Sequence, residues 1–365
     1  MSKDTGIEKF IRPELFTFSG YSAATSPETL EGKVEVPLDS IIKLDANENP
    51  YGCSPRVSQA LARYAHFNIY PDNGQAVLRK LLAGYAGVDA RYIVAGHGSN
   101  QLIDLVLRLL VGKDDEVINC VPTFGIYSFS SELCGGTLVE VPRNEDFSVN
   151  IRAVKAAITE KTKIICLANP NNPTGTITSQ QDIESILATG VPVLVDEAYY
   201  EFSRQTVAPL VEQYDNLMVL RTFSKWAGLA GLRVGYGLFP ARIADYLLTT
   251  KIPYNVNVAA LVAVEESMKD IDHLMDTVKA IIDERDRLFN ELQKIKWLRP
   301  VPSQANFILC SVLNGMASQL HKKLQDKGIL VRYFDQSILR DCIRISVGKP
   351  EHTDALIKAL REIGG

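Results

Sequence analysis

Leu220-Arg221-Thr222-Phe223-Ser224-Lys225-Trp226-Ala227-Gly228-Leu229-Ala230-Gly231-Leu232-Arg233-Val234-Gly235-Tyr236 is the stretch on which the reading of this chain turns. The apolar run 217–220 reads as a buried strand, and 234–239 reads as a second one punctuated by glycine. Lys225 therefore stands among apolar and small residues, where desolvation lowers an amine's pKa and makes it a nucleophile toward carbonyls. Thr222, Ser224 and Arg233 surround it, and hydroxyls with a fork-shaped guanidinium suit a phosphate. A lone loop lysine would normally be read as solvated. The hydroxyls, glycines and arginine at this spacing favour an aldehyde-reactive lysine beside a phosphate cradle, which is what pyridoxal phosphate requires.

The whole chain bounds that reading. Its 365 residues suffice for one large domain plus a smaller one, with 46% hydrophobic and 22% charged residues. A formal charge of −4 and the lack of any Lys/Arg run give no case for nucleic acid. No apolar stretch approaches ~20 residues, and residues 1–10 lack the apolar core of a secretory signal, so a cytoplasmic protein is expected. Six scattered cysteines without a C-x-x-C read as reduced thiols, and five histidines at no ligand spacing predict no metal.

Residues 1–40 read as an irregular arm with a short helix near 7–18. Residues 41–268 form the expected large α/β domain, a mostly parallel sheet covered by helices. Its strands are expected at 92–95, 116–119, 137–141, 163–168 and 193–195, with helices at 100–110, 151–158 and 180–188. Residues 269–365 form a smaller α+β domain, joined by a long helix over 272–295. Its strands are expected at 306–312, 329–332 and 342–347, and its helices at 316–327 and 351–362. In an open parallel sheet, ligands bind at the carboxyl ends of the strands.

Three stretches fall at such ends. Gly96-His97-Gly98-Ser99-Asn100 joins a strand to a helix whose N-terminus offers N–H groups to an anion, although alone it reads equally as a glycine turn. Asn169-Pro170-Asn171-Asn172-Pro173-Thr174-Gly175 is a proline-stiffened loop able to aim an Asn amide inward, or simply a turn. Asp196-Glu197-Ala198-Tyr199 closes the buried run 193–195. A carboxylate there needs a cationic partner such as a protonated pyridine nitrogen, unless Asp196 merely caps a helix.

With Lys43-Leu44-Asp45-Ala46-Asn47-Glu48-Asn49-Pro50-Tyr51-Gly52, these motifs occur in an order that resembles the fold-type-I pyridoxal-phosphate aminotransferases from about residue 21 onward. Within that family the chain is similar to the histidinol-phosphate aminotransferases of the plant and cyanobacterial branch. The resemblance implies that Lys225 bonds the cofactor's aldehyde carbon, Asp196 holds the pyridine nitrogen protonated, and Asn172 and Tyr199 bond the ring oxygen. It implies that Phe124 stacks on the ring and that Ser99, Asn100, Thr222, Ser224 and Arg233 hold the phosphate, joined by Tyr51 from a second subunit of a homodimer. Arg344 would take the α-carboxylate of glutamate, and Arg332 and Tyr21 the phosphate of a phosphorylated amino alcohol. The chain departs from the family where Ser99-Asn100-Gln101 replaces the common Ser-Asp-Glu and where Gly20 precedes Tyr21.

The implied activity is transamination between histidinol phosphate and 2-oxoglutarate. The rivals are an aromatic-amino-acid aminotransferase, a decarboxylase of a phosphorylated amino acid, and a ligand-sensing module without catalysis.

Overall fold

The computed structural model describes residues 6–18, 20–21, 29, 36–37, 40–335 and 338–364. Along the chain, the single strand β1 (Ile42–Leu44) precedes helices α1 (Pro55–Arg63) and α2 (Ala76–Ala86). Then come β2 (Ile93–Gly96), α3 (Gly98–Leu110), β3 (Glu116–Val121), α4 (Ile126–Leu133), β4 (Thr137–Pro142), α5 (Ile151–Ala156) and β5 (Thr162–Ala168). The alternation continues through α6 (Gln180–Leu187), β6 (Val193–Asp196), α7 (Tyr200–Ser203), β7 (Leu217–Thr222) and β8 (Gly235–Leu238). After α8 (Ala241–Thr250), α9 (Val258–Lys269) and α10 (Ile271–Gln293) follow β9 (Leu298–Pro300) and β10 (Phe307–Val312). The chain closes with α11 (Ala317–Asp326), β11 (Ile329–Tyr333), β12 (Cys342–Ser346) and α12 (Pro350–Gly364).

Seven strands form one sheet in the order β2-β8-β7-β6-β5-β3-β4. Only β8 runs against its neighbours; the pairs among β3 to β7 are all parallel. A parallel return needs a crossover of a dozen or more residues, usually through a helix. The short connection 223–234 contains only a 3-10 turn, so the chain re-enters antiparallel. That hairpin-like return holds Lys225 and Arg233 together at the carboxyl end of β7. Helices cover both faces, which explains the apolar runs 164–168 in β5, 193–195 in β6 and 217–220 in β7. On one face Ile165, Val195 and Val219 pack in the cluster that includes residues of α2, α9 and α10. On the other, Ile164, Leu194 and Met218 pack with residues of α3 and α8.

The second sheet has the order β1-β11-β12-β10-β9. The division at residue 41 assigns 42–44 to the large domain, but these residues pair in parallel with Ile329–Val331 of the second sheet. A strand of three residues carries no periodicity that could reveal a partner so far along the chain. The long helix runs over Ile271–Gln293 and enters both cores: Leu274, Val278 and Ile281 pack with the first sheet, Leu288 and Leu292 with the second. Helices α2, α4 and α7 and strand β9 went unread from sequence. The expected helix near 7–18 is two 3-10 turns, Ile7–Phe10 and Pro13–Thr17, broken by Pro13. Most of the remaining arm lies outside the described residues.

Candidate active site

A cavity of about 730 Å³ opens where the carboxyl ends of β2, β5, β6 and β7 face β11 and β12 of the second sheet. Every residue singled out from sequence lines it except Tyr51.

One end is a cradle of donors. Helix α3 starts at Gly98, placing buried Ser99 in its first turn with the helix's orphan N–H groups at the cavity. Gly98 has φ +74, and a Cβ there would lie 2.6 Å from Arg233 Nη2. A Cβ on Gly235 would lie 2.6 Å from the Ser99 nitrogen, so only glycine lets the helix end approach β8 this closely. Thr222 Oγ1 donates to Ser224 Oγ at 3.0 Å. Arg233 Nη1 reaches Ser224 Oγ at 3.4 Å and the Ala230 carbonyl at 3.0 Å, from a left-handed backbone at φ 56. Gln101, where the family has an acid, accepts from the His97 N–H at 2.7 Å and from Asn255 Nδ2 at 2.8 Å. The substitution therefore keeps the glycine turn tied.

Lys225 projects into the middle of the cavity. Its Nζ donates to the Ala46 carbonyl at 2.9 Å. Burial, reinforced by the nearby Arg344 charge, pulls its pKa down from the ordinary lysine range to about 7. Asp196, at the end of β6, is buried on the cavity floor. Its carboxylate accepts from Tyr127 Oη at 2.9 Å and from the Ala198 N–H at 3.1 Å. Burial raises its pKa to about 6 against the lowering effect of those two hydrogen bonds. Among the described residues no cation forms an ion pair with it. A buried carboxylate that faces open volume without a cationic partner fits a cationic ring nitrogen. Tyr199 accepts from Asn47 Nδ2 at 2.9 Å, and its phenol is pushed up to about 12 by burial.

The second sheet contributes the cations. Arg332 on β11 and Arg344 on β12 sit opposite each other in the antiparallel register. Arg344 is buried and donates to Asn172 Oδ1 and the Asp45 carbonyl, both at 2.6 Å, while its Nε has no partner. Burial lowers its pKa. Two guanidiniums on one wall, one with an unmatched donor, present a strong field to an anion. Tyr21 packs edge-on against Phe124 at 6.0 Å between centroids. Tyr51 lies outside this cavity, 38% exposed, with Lys349 Nζ 5.7 Å from its ring centre. Among the described residues no metal-binding group of His, Cys, Asp or Glu comes together, and no helix is long and apolar enough to cross a membrane.

The model of the aminotransferase class I and II family matches residues 39–360. The chain belongs to that family. It is 54% identical over 358 residues to the histidinol-phosphate aminotransferase of Dehalococcoides mccartyi, covering 98% of this chain and 99% of that one. It is 43% identical to the chloroplastic enzyme of that name from Nicotiana tabacum, covering 97% and 86%. The solved histidinol-phosphate aminotransferase of Sinorhizobium meliloti, in complex with pyridoxal-5'-phosphate, superposes with a TM-score of 0.87 at 26% identity, covering 97% and 98%.

In this aminotransferase, sequence reasoning missed three supporting groups. Asn47 holds φ 56, bonds Tyr199, and is bonded in turn by Ser346 at the end of β12 and Asn306 just before β10. Its place in the Lys43–Gly52 motif was the available signal. Glu197, just beyond β6, turns its carboxylate away from Asp196 to Thr206 and the Val207 N–H and forms a buried ion pair with Arg221 at 3.1 Å. An arginine inside the apolar strand β7 had demanded such an acid. Tyr127, on the unread helix α4, carried no signal at all.

Proposed function

We propose that this aminotransferase exchanges an amino group between L-histidinol phosphate and 2-oxoglutarate, a step of histidine biosynthesis, with pyridoxal phosphate as cofactor. The observation that carries it is the register pair Arg332 and Arg344 at the cavity wall, one cation for a carboxylate and one for a phosphate. Relatives named histidinol-phosphate aminotransferase at 43–54% identity support the same substrate.

The residues fit the cofactor: the cradle of Ser99, Asn100, Thr222, Ser224 and Arg233 would hold its phosphate, and Asp196 its ring nitrogen. Asn172 and Tyr199 would bond the ring oxygen, and Phe124 would cover the ring face. When bound, pyridoxal phosphate supplies an electron sink for a carbanion at the substrate Cα. Lys225 would be the cofactor's point of attachment, and its Nζ, once free and with the neutral form well populated near pH 7, would take the Cα proton and return it one atom away. Arg344 would orient the amino donor by its carboxylate, exchanging Asn172 and Asp45 for it. Arg332 and Tyr21 would hold the phosphate of the amino alcohol.

Purified protein given glutamate with imidazole-acetol phosphate, phenylpyruvate or 4-hydroxyphenylpyruvate tests this. The phosphorylated ketone should turn over with the highest kcat/KM. A preference for either aromatic keto acid would move the assignment to an aromatic aminotransferase. Borohydride should fix the cofactor's mass on the peptide carrying Lys225 and on no other.

The working form in this reading is a homodimer in a reducing, cytoplasmic setting, consistent with six free thiols. Tyr70 stacks on Tyr254 at 4.4 Å, and Lys251 and Tyr254 both bond Asn73. The surface so formed exposes Phe67, Ile69, Tyr70, Val77 and Ile252, an apolar patch that a second copy would cover. Tyr51, exposed and outside its own chain's cavity, would reach the partner's cradle. Light scattering should give the mass of two chains at working concentration; an active monomer would refute the assembly. The 41–268 and 269–365 units, with α10 between them and strand 42–44 crossing to the second sheet, are the proposed division of each subunit.

A further inference from the structure

We propose that Tyr127 is a positioning residue that keeps the Asp196 carboxylate ionised and aimed at the cofactor's ring nitrogen, an inference that rests on the cofactor reading above. Tyr127 is fully buried on α4, and its Oη donates to Asp196 Oδ2 at 2.9 Å. The opposite oxygen, Oδ1, accepts from the Ala198 N–H at 3.1 Å. The two donors thus fix the carboxylate's rotation as well as its charge. Tyr127 is itself held from behind: Ser131 Oγ donates to its carbonyl at 2.6 Å, and Phe124 meets its ring edge-on at 5.9 Å between centroids. One side chain therefore braces both the carboxylate for the ring nitrogen and the aromatic for the ring face.

The charge problem at Asp196 makes the hydroxyl consequential. The titratable groups that act on the carboxylate are Tyr127 from α4, Cys166 from β5, Tyr199 and the averted Glu197 from its own segment, and Lys225 from the connection after β7. Of these, Glu197 raises its pKa and Lys225 lowers it only weakly; burial is the largest influence, and Tyr127 is the first-ranked opponent of it. With its pKa already near 6, the group has little margin below neutral pH. A hydrogen bond to a charged group is among the stronger ones, so removing this donor should carry the Asp196 pKa upward by about one unit or more. A protonated Asp196 must release its proton before it can pair with a pyridinium, so cofactor affinity should fall on the acid side of that pKa.

The test is Tyr127→Phe, which keeps the ring, its packing against Phe124 and its volume. Apoprotein is prepared by dialysis, and the Kd for pyridoxal phosphate is measured from pH 5 to 9 for wild type and variant. The acid limb of the affinity profile should move up by about one pH unit or more, with the two proteins converging near pH 8. Infrared titration of the apoproteins, with the Asp196 band identified by Asp196→Asn, should show the same upward displacement without any cofactor present. An unmoved limb and unmoved band overturn the proposal while leaving the functional reading intact. A uniform loss of affinity at every pH with neither limb nor band displaced also overturns it, because the carboxylate's charge then does not depend on the hydroxyl. A wild-type protein that binds no pyridoxal phosphate at any pH overturns both.

Discussion

Lys225→Met should lower turnover by at least about 10⁴-fold, because it removes the nucleophile and the general base in one change, and base catalysis alone is worth roughly 10²–10⁴. The same variant should make the apoprotein more stable. The Lys225 pKa lies near 7 in the folded state instead of the ordinary lysine range near 10.5. Between those values the unfolded chain binds a proton that the folded chain does not, so wild-type stability climbs with pH across that window. The penalty is complete below pH 7 and gone above 10.5. Methionine titrates nowhere in it. The variant's advantage should be about 1–3 kcal/mol near pH 7, discounted because part of the lysine faces cavity water, and should shrink toward pH 10. Urea unfolding of both apoproteins at pH 7 and pH 9.5, beside turnover, checks the pair of effects. Turnover within tenfold of wild type would remove Lys225 from the chemistry. Equal stability at both pH values would mean that burial does not strain the amine.

The residues legible in sequence share a local signature. Asp196 closes the apolar strand β6 and Lys225 stands just beyond the end of β7, and a charge at the end of a buried strand needs a partner. Arg233 and Ser99 were legible from nearby glycines, whose tight approaches the structure makes explicit at Gly98 and Gly235. What stayed hidden is carried by contacts between distant segments. Tyr127 meets Asp196 from 69 residues away, and its helix, Ile126–Leu133, mixes aromatic and serine residues without a plain apolar stripe. Asn47 reaches Tyr199 across 152 residues, and β1 finds its partner β11 across most of the chain. Periodicity encodes which face of an element is buried; it does not encode which buried faces meet. The same limit applies to Tyr51, whose proposed site is not on this chain's own cavity but on a second copy.

Arg332→Ala should lower kcat/KM for histidinol phosphate by about 10²–10³-fold, roughly 3–4 kcal/mol. A guanidinium facing a phosphate dianion makes charge-assisted, often bidentate bonds, and removing it leaves that dianion partly unpaired in a confined site. The position supports the size of the effect. Arg332 lies across the ladder from Arg344, its guanidinium 5.7 Å from the centre of the Phe334 ring. Phe334 also lies 5.9 Å from the Arg344 guanidinium, so the same aromatic wall lines both cations and limits the water that could replace a lost donor. Substrates without a phosphate do not call on this group. Turnover of histidinol or phenylalanine should therefore change by no more than severalfold, and Arg332→Lys should recover part of the phosphate preference as a point charge without the fork. Both substrates must be measured on both proteins, since the informative quantity is the ratio of their kcat/KM values. A structural arginine would depress the two together and leave the ratio where it began. In that event Arg332 does not anchor the phosphate, and the choice of a phosphorylated amino alcohol over an aromatic amino acid loses its support in this cavity.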